Sequence, residues 1–419
     1  MRRYYLSTFL AMMLLLAGSI GLWFKRQPWK LQCELPHGAT VFDAAFSSDG
    51  MLLATGDAGG FLRIWDISAG HEIRKIDTGK IFVLKVLFTP DGKQVVAAHR
   101  DVTVFDVATG RQIWRAGPRA SLDRQTSQEI RLETQNAFST VQRLTLTPSG
   151  KCLFLYHESS AFVWTLFSNQ ISELKPPRHS GGILRLQGTL WNAAISEDGR
   201  YVVTASEDGV SLWDGENVVS HKASPVYAVA ITRDGQLFAA GGNDGSISIW
   251  HRESGRQIQT LTGGHAKFLA DLDFSPDGEW LLSTSDAESK AVMWDVKSGA
   301  KLSEYASTTS KVYSSCFSSD GNRVLSFGDR ATVWHPPTGE ILSEFPRHGT
   351  NPLRAAKFSD DGQRVVTCGD DKLARVWARV REEPWWGYFL LPEGWVALAC
   401  GSFLSVRALQ RFVARRSAA

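Results

Sequence analysis

The sequence predicts an all-β fold in which one four-stranded unit is repeated along most of the chain. Two observations support this prediction. A short turn phrase recurs eight times, and each turn phrase is followed by a strand that closes on an aromatic residue. The chain has 419 residues, of which 43% are hydrophobic and 21% are charged. That balance is typical of a globular protein with a substantial core.

The turn phrase consists of an apolar residue, Ser or Thr, any residue, usually Asp, and then Gly. Asp-Gly is a hairpin signal, because glycine adopts positive φ without steric cost. An alternating strand precedes each phrase and a more continuous apolar strand follows it. Most successive phrases are separated by about 40–45 residues, an interval typical of repeat folds. The turn glycines are Gly50, Gly92, Gly150, Gly199, Gly235, Gly278, Gly321 and Gly362.

The second recurring feature is a β-branched strand that ends in an aromatic residue and leads, in most units, into a glycine turn and one more short strand. Each unit therefore has four strands, and it cannot bury both faces of its sheet alone, so neighbouring units must stack. Radial stacking of four-stranded sheets gives a β-propeller. The closing aromatics are Trp65, Phe105, Trp164, Trp213, Trp250, Trp294, Trp334 and Trp377.

Eight turn phrases pair one-to-one with eight closing aromatics, which predicts an eight-bladed propeller. Seven blades remain the alternative. The third unit is the weakest, because Ser149 stands where the other phrases have Asp.

Residues 29–380 resemble the WD40-repeat family, and the whole chain looks like a membrane-anchored, bacterial-type member of it. The resemblance rests on the pairs Trp65-Asp66, Trp213-Asp214 and Trp294-Asp295, and on His37, His221, His265 and His348, which precede their tryptophans by a nearly constant interval. It implies a structural tetrad that joins this His, a strand hydroxyl, a turn Asp and the Trp. The last unit carries all four members in register: His348, Thr367, Asp371 and Trp377.

The sequence indicates no reaction chemistry. The spacing of the histidines places them in different units, where the tetrad accounts for them better than a metal site. We find no GxSxG, P-loop, HExxH or calcium-loop motif. We therefore predict no catalytic, cofactor-binding or metal-binding residues and no enzyme. A net charge of +3 is too small to indicate a nucleic-acid-binding face.

The N-terminal region, residues 1–28, contains an uncharged run from Leu6 to Phe24. At 1.5 Å per residue this run is long enough to cross a hydrocarbon core of ~30 Å. We expect an uncleaved signal anchor, because the apolar character continues to Phe24. A cleaved signal peptide is the alternative, since Ala17-Gly18-Ser19 offers small residues to a peptidase.

The C-terminal region, residues 381–419, is aromatic and apolar from Trp385 to Val413 and is also expected to associate with the membrane. A second membrane-spanning helix, an interfacial helix and a helix packed on the propeller all remain open. The distribution of basic residues favours, by a small margin, termini inside and a propeller outside the cytoplasm.

The last unit ends at its third strand, near Val380, and has no fourth strand of the usual kind. An open sheet edge is a liability, and the alternating segment from Trp29 to Leu35 can supply the missing strand. Both hydrophobic segments then adjoin one rim. The opposite face carries the turns with Asp208, Asp244 and Asp371, and two long segments, 117–137 and 176–190, that we interpret as irregular loops. We expect partners to bind there.

These observations favour a membrane-tethered scaffold for protein partners whose identity the sequence does not give. Two alternatives belong to other classes. One is a propeller of the cell envelope that senses a ligand or a carbohydrate. The other is a propeller enzyme, such as a hydrolase or a quinone-dependent dehydrogenase, although the tryptophan-docking repeats of quinoproteins are not found in this sequence.

Overall fold

A computed structural model of the chain describes residues 29–79, 82–98, 102–116, 143–146, 152–157, 160–165, 184–185, 190–214, 217–222, 225–307 and 311–380. All structural statements below concern these residues. Both hydrophobic ends, from Leu6 to Phe24 and from Trp385 to Val413, lie outside them, as does the 117–137 segment. In the described part of the chain, no helix has the length and apolar character needed to cross a bilayer.

The described residues form strands that hydrogen-bond into eight sheets of four strands each, which we number in chain order. Sheet 1 contains β2 (Val41–Phe46), β3 (Leu52–Asp57), β4 (Phe61–Asp66) and β5 (His71–Asp77); sheet 2 contains β6 (Lys85–Phe88), β7 (Gln94–Ala98), β8 (Val102–Asp106) and β9 (Gln112–Ala116); sheet 3 contains β10 (Arg143–Leu146), β11 (Cys152–His157), β12 (Ser160–Thr165) and β13 (Leu184–Arg185); sheet 4 contains β14 (Leu190–Ile195), β15 (Tyr201–Ser206), β16 (Gly209–Asp214) and β17 (Asn217–Lys222).

The second half of the chain continues the pattern. Sheet 5 contains β18 (Val226–Ile231), β19 (Leu237–Gly242), β20 (Ile247–His251) and β21 (Gln257–Leu261); sheet 6 contains β22 (Asp271–Phe274), β23 (Trp280–Ser285), β24 (Lys290–Asp295) and β25 (Lys301–Ala306); sheet 7 contains β26 (Val312–Phe317), β27 (Val324–Gly328), β28 (Ala331–Trp334) and β29 (Ile341–Glu344); sheet 8 contains β30 (Ala355–Phe358), β31 (Arg364–Cys368), β32 (Leu373–Arg379) and β1 (Trp29–Pro36).

The prediction of an all-β fold built from four-stranded repeat units is confirmed. First strands of neighbouring sheets contact one another, as β14 does with β18, β18 with β22 and β22 with β26, and β2 contacts both β6 and β30. The count of eight blades in a single propeller stays a prediction.

Sheet 8 is closed by the strand from the other end of the described chain, as expected. Its order is β1-β32-β31-β30, so β1 pairs with β32 and covers the edge that the last repeat leaves open. The amide of His37, just after β1, donates to the carbonyl of Lys372, just before β32, at 2.8 Å. The end of β1 therefore lies beside the start of β32, and the two strands run antiparallel.

The turn phrase is held by its own polar residues, which explains its composition. In sheet 1, the Ser47 hydroxyl donates to Asp49 Oδ1 at 2.6 Å, and the amide of Met51 donates to the same oxygen at 2.9 Å. Gly50, between them, has φ +67°, a conformation that a side chain would strain. The phrase therefore carries a complete tight turn in five residues of sequence.

The hydrophobic clusters of the described residues lie between adjacent sheets. One cluster joins Leu53 and Trp65 of sheet 1 to Val366 and Val376 of sheet 8. This packing is the physical reason for the continuous apolar character of the second strands.

One prediction was wrong in part. The 176–190 segment was expected to be an irregular loop, but Leu184–Arg185 forms the fourth strand of sheet 3 by pairing with β12. The segment has no strong strand pattern because only two residues pair, and such a short strand leaves little trace in a sequence.

Candidate functional site

The four tetrad residues predicted from the sequence lie together at one end of sheet 8. His348 Nδ1 is 2.8 Å from Asp371 Oδ1, and His348 Nε2 is 2.9 Å from Thr367 Oγ1. The indole Nε1 of Trp377 donates to Thr367 Oγ1 at 3.0 Å. His348 and Thr367 are completely buried.

The indole of Trp377 can only donate, so Thr367 Oγ1 accepts from it. The ionised Asp371 can only accept, so His348 Nδ1–H donates to it, and Nε2 of the neutral ring accepts the proton of Thr367. Burial lowers the pKa of His348, against the opposing effect of Asp371. Burial raises the pKa of Asp371, but the hydrogen bond from His348 and the charge of Arg375 outweigh it and leave this pKa below its usual value. The network therefore holds a neutral imidazole and an ionised carboxylate.

Arg375 extends this network to the closing strand. Its Nη1 donates to Asp371 Oδ2 at 2.8 Å, and its Nε donates to Glu34 Oε1 on β1 at 2.7 Å. The tetrad of the last repeat is thus linked by side chains to the first strand of the described chain.

Sheet 6 contains an equivalent network with a different acid, which the sequence reasoning missed. His265 bonds Ser283 Oγ at 2.9 Å and Glu288 Oε2 at 3.0 Å, and Trp294 Nε1 donates to Ser283 Oγ at 2.8 Å. Glu288 comes five residues after the hydroxyl rather than four, in a longer turn where Ser289 has φ +55°. The longer side chain and the longer turn compensate for each other.

Sheet 1 has the same network without an acid. His37 Nε2 is 2.7 Å from Thr55 Oγ1, and Trp65 Nε1 donates to that oxygen at 2.9 Å. The partner of His37 Nδ1 is the backbone carbonyl of Leu35, at 2.9 Å. Burial is the largest effect on this ring and lowers the pKa of His37 to about 4, although the hydrogen bond with Leu35 and the charges of Asp57 and Glu72 act in the opposite direction.

The candidate binding residues have different environments. Asp208 is exposed in the turn between β15 and β16, and Asp244 is exposed in the turn between β19 and β20. Asp244 Oδ1 accepts from the hydroxyl and the amide of Ser246 at 2.6 and 3.0 Å, which lowers its pKa. Asp371 lies in the corresponding turn of sheet 8 but is committed to the tetrad. Asp208 and Asp244 therefore present their carboxylates to solvent at the edge where the first strands begin.

That edge also carries aromatic side chains that the sequence reasoning did not single out. Four first strands have a register irregularity near their beginning, which leaves one residue outside the pairing ladder. In every case this residue is aromatic and partly exposed: Phe42, Trp191, Tyr227 and Tyr313. Phe82 and Phe268 lie in the loops that precede β6 and β22. We call these two residues, together with Phe42, Trp191, Tyr227 and Tyr313, the aromatic mouth.

Neighbouring members of the aromatic mouth are in contact. Trp191 and Tyr227 stack with centroids 4.4 Å apart and an interplanar angle of 4°, and Tyr227 lies 5.7 Å from Phe268. Phe42 meets Phe82 edge-on at 6.5 Å. An aromatic residue right after the first residue of a strand is the signal that could have revealed this set.

A cavity of about 510 Å³ opens at the same edge, between sheets 7 and 8. The guanidinium of Arg354 binds Asp370 through two parallel hydrogen bonds, of 2.8 Å from Nε and 3.0 Å from Nη2. Asn351 also donates to Asp370, at 2.8 Å. The cavity is lined by Tyr313, Phe327, Asn351, Pro352, Leu353, Arg354 and Asp370.

The described residues contain no group of three or more His, Cys, Asp or Glu side chains placed to hold a metal ion. The buried histidines are instead held in their networks by hydroxyl and carboxyl partners.

Comparison with known proteins supports the repeat assignment. The family model described as "WD domain, G-beta repeat" matches residues 29–66, 216–251, 255–295 and 339–378. A guanine nucleotide-binding protein subunit beta from Zea mays is 26% identical over 215 residues, which cover 47% of this chain and 56% of that protein. The serine-threonine kinase receptor-associated protein of Gallus gallus is 26% identical over 230 residues, covering 53% of this chain and 58% of that protein.

Two further likenesses come from a bacterium and from design. An uncharacterized WD repeat-containing protein of Synechocystis, sll1491, is 30% identical over 145 residues, covering 33% of this chain and 41% of that protein. The crystal structure of the computationally designed Ika8 protein matches with a TM-score of 0.63 at 20% identity, covering 83% of this chain and 99% of that one. This structure supports the fold alone. The chain spans little more than half the length of the first curated relatives that it matches.

Proposed function

We propose that this chain is a member of the WD40-repeat family and a membrane-tethered scaffold that binds protein partners and catalyses no reaction. The observation that carries the proposal is the aromatic mouth, where partly exposed rings stand on paired strands beside the exposed carboxylates of Asp208 and Asp244. A few side chains supply most of the binding energy at protein interfaces, and Trp and Tyr are enriched among them. Two of the relatives are named as a subunit and as a receptor-associated protein, which agrees with a role in assemblies.

The buried networks support a role other than catalysis. In sheets 1, 6 and 8 the imidazole, the hydroxyl and the indole are joined to one another inside the sheets. Their hydrogen bonds are satisfied within the protein, so these groups are not positioned to accept a substrate proton. We assign them to stability.

The tether is proposed from the hydrophobic segments between Leu6 and Phe24 and between Trp385 and Val413. The pairing of β1 with β32, with His37 beside Lys372, places the start of β1 beside the end of β32, at the edge of sheet 8 opposite to the aromatic mouth. We further propose that the sheets lie outside the cytoplasm, which protease added to intact spheroplasts tests.

Charge reversal tests the binding face. The full-length chain, solubilised in a non-ionic detergent, is cross-linked to its neighbours and the captured proteins are compared between variants. The double variant Asp208→Lys/Asp244→Lys should lose partners that the parent chain captures. The matched control, Glu253→Lys/Glu279→Lys, changes the same charge at exposed positions on the opposite edge and should keep them. Equal capture by both variants would refute this face.

A further inference from the structure

Sheets 6 and 8 form equivalent backbone hydrogen bonds at the edge that carries the aromatic mouth. The amide of Arg354 donates to the carbonyl of Cys368 at 2.9 Å in sheet 8, and the amide of Ala270 donates to the carbonyl of Thr284 at 2.8 Å in sheet 6. The strand registers agree with this correspondence. Arg354 and Ala270 therefore occupy equivalent positions in two repeats.

The carboxylates of the two sheets are equivalent as well. Asp370 lies two residues after Cys368, and Asp286 lies two residues after Thr284. In sheet 8, the guanidinium of Arg354 fills the space beside Asp370 and binds both of its oxygens. In sheet 6, the residue at the position of Arg354 is Ala270, whose side chain is a single methyl group. Sheet 6 therefore has the equivalent acid but no arginine beside it.

Asp286 therefore lacks the hydrogen-bond donors that Asp370 has. Its Oδ1 is buried and accepts no hydrogen bond, and none of the described residues forms an ion pair with it. A buried acceptor without a donor destabilises the folded state, and more strongly when it is charged. Asp286 as a whole is only partly buried and Oδ1 alone of its two oxygens is enclosed, so a cationic donor from outside the chain can reach Oδ2 and neutralise the carboxylate.

The surroundings of this position suit a cation. Phe268 lies two residues before Ala270 and contacts Tyr227, which in turn stacks on Trp191. All three rings are partly exposed and come from the neighbouring sheets 4, 5 and 6. The faces of aromatic rings attract cations, and a planar guanidinium can stack on them.

We propose that the aromatic mouth at sheets 4 to 6 binds an arginine side chain of a protein partner, with Asp286 as its carboxylate and Phe268 and Tyr227 as its aromatic wall. This proposal rests on the proposed scaffold function and names the chemistry of the partner. Arginine is favoured over lysine because the equivalent pair inside sheet 8 is a two-bond fork, a geometry that only a guanidinium offers.

Ligand-observed NMR on the full chain in non-ionic detergent tests the proposal with three blocked tripeptides. The probes are acetyl-Gly-Arg-Gly-amide and its versions with lysine and with citrulline, which is neutral and nearly the same shape. The arginine peptide should bind, and the citrulline and lysine peptides should bind at least about tenfold more weakly. Asp286→Asn should weaken binding of the arginine peptide by a similar factor. Glu253→Gln, which removes a charge on the opposite edge, should leave that binding unchanged. Equal binding of the arginine and citrulline peptides would overturn the assignment.

A second variant uses the internal arginine of sheet 8 as a template. Ala270→Arg supplies the missing guanidinium from the chain itself, so it should raise the midpoint of thermal unfolding and abolish binding of the arginine peptide. Adding Asp286→Asn should remove the gain in the midpoint. Unchanged peptide binding in Ala270→Arg would contradict the proposal. If Asp286→Asn still captures the partners that Asp208→Lys/Asp244→Lys loses, the scaffold role stands and only the arginine assignment fails.

Discussion

The amide of His37 donates a 2.8 Å hydrogen bond to the carbonyl of Lys372, and this bond fixes how the two ends of the described chain meet. Because the strands are antiparallel, each step back from His37 along β1 matches one step forward from Lys372 along β32. Glu34 therefore stands opposite Arg375, and their side chains are joined at 2.7 Å. Ala374 stands opposite Leu35, and both are buried in the cluster between sheets 1 and 8. The register of the closing pair is therefore set by backbone, ion pair and core together.

A disulfide can test this register. We expect the pair Glu34→Cys and Arg375→Cys to cross-link under mild oxidation, because directly opposed residues lie within the ~4.4–6.8 Å Cα range of a disulfide. The native Cys33 is replaced by serine to avoid competing pairs. The control Lys30→Cys with Arg375→Cys is out of register and should remain reduced. Mass spectrometry of peptides reads the result, and cross-linking of the control pair instead would contradict the register.

Removing the acid of the tetrad should destabilise the protein. Asp371→Ala leaves Nδ1–H of the buried His348 without its acceptor, which should cost about 1–3 kcal/mol of unfolding free energy. Asp208→Ala, in the equivalent turn of sheet 4 but exposed, should change the free energy by no more than about 0.5 kcal/mol. Urea unfolding of both variants measures the difference, and equal losses would show that Asp371 has no special role.

The acid of sheet 6 should be sensitive to its length. Glu288→Asp keeps the charge but shortens the side chain by one methylene, so the carboxylate should no longer reach His265 across the longer turn. We expect a loss of about 1 kcal/mol or more in unfolding free energy. Glu253→Asp makes the same change at an exposed position and serves as the control. A variant as stable as the parent would mean that the turn itself adjusts to the shorter acid.

The stability should depend on pH through His37. Its pKa is about 4 in the folded state because of burial, below its ordinary value near 6.5, so the unfolded chain binds more protons between these values. The unfolding free energy should therefore be constant above pH 6.5 and fall as the pH decreases toward 4. His37→Gln should make this decrease smaller by about 1–3 kcal/mol, whereas His71→Gln, at an exposed position, should not. Chemical unfolding at several pH values distinguishes the two variants.

The repeat was predictable from sequence because its information is local. The turn phrase contains the serine, the acid and the glycine that make its own hydrogen bonds, so Ser47, Asp49 and Gly50 fold as their pattern predicts. The members of the sheet 8 network could be proposed from sequence for a related reason, since each holds a fixed position relative to a turn. The number of blades stays a prediction.

Among the features that were missed, the aromatic mouth depends on contacts between repeats. Trp191 and Tyr227 stack across two sheets, and no pattern within either strand reveals that neighbour. Arg354 and Asp370 are 16 residues apart and meet only because β30 pairs with β31, and Asp286 lacks an equivalent arginine because Ala270 stands at that position in sheet 6. Glu288 was missed because a turn with one extra residue shifted it out of the expected register.

The pairing of β1 with β32 has a consequence for the order of events during synthesis. β1 leaves the ribosome first, but its partner strand is made about 340 residues later, which takes roughly 20–70 s at translation rates of about 5–20 residues per second. During that time the β1 strand has no native partner, while sheets 1 to 7 can each form from consecutive strands. Sheet 8 must therefore be the last to assemble, and an unpaired strand waiting so long is exposed to pairing with other nascent chains. The pairing of β1 with β32 therefore makes completion of the fold a late step.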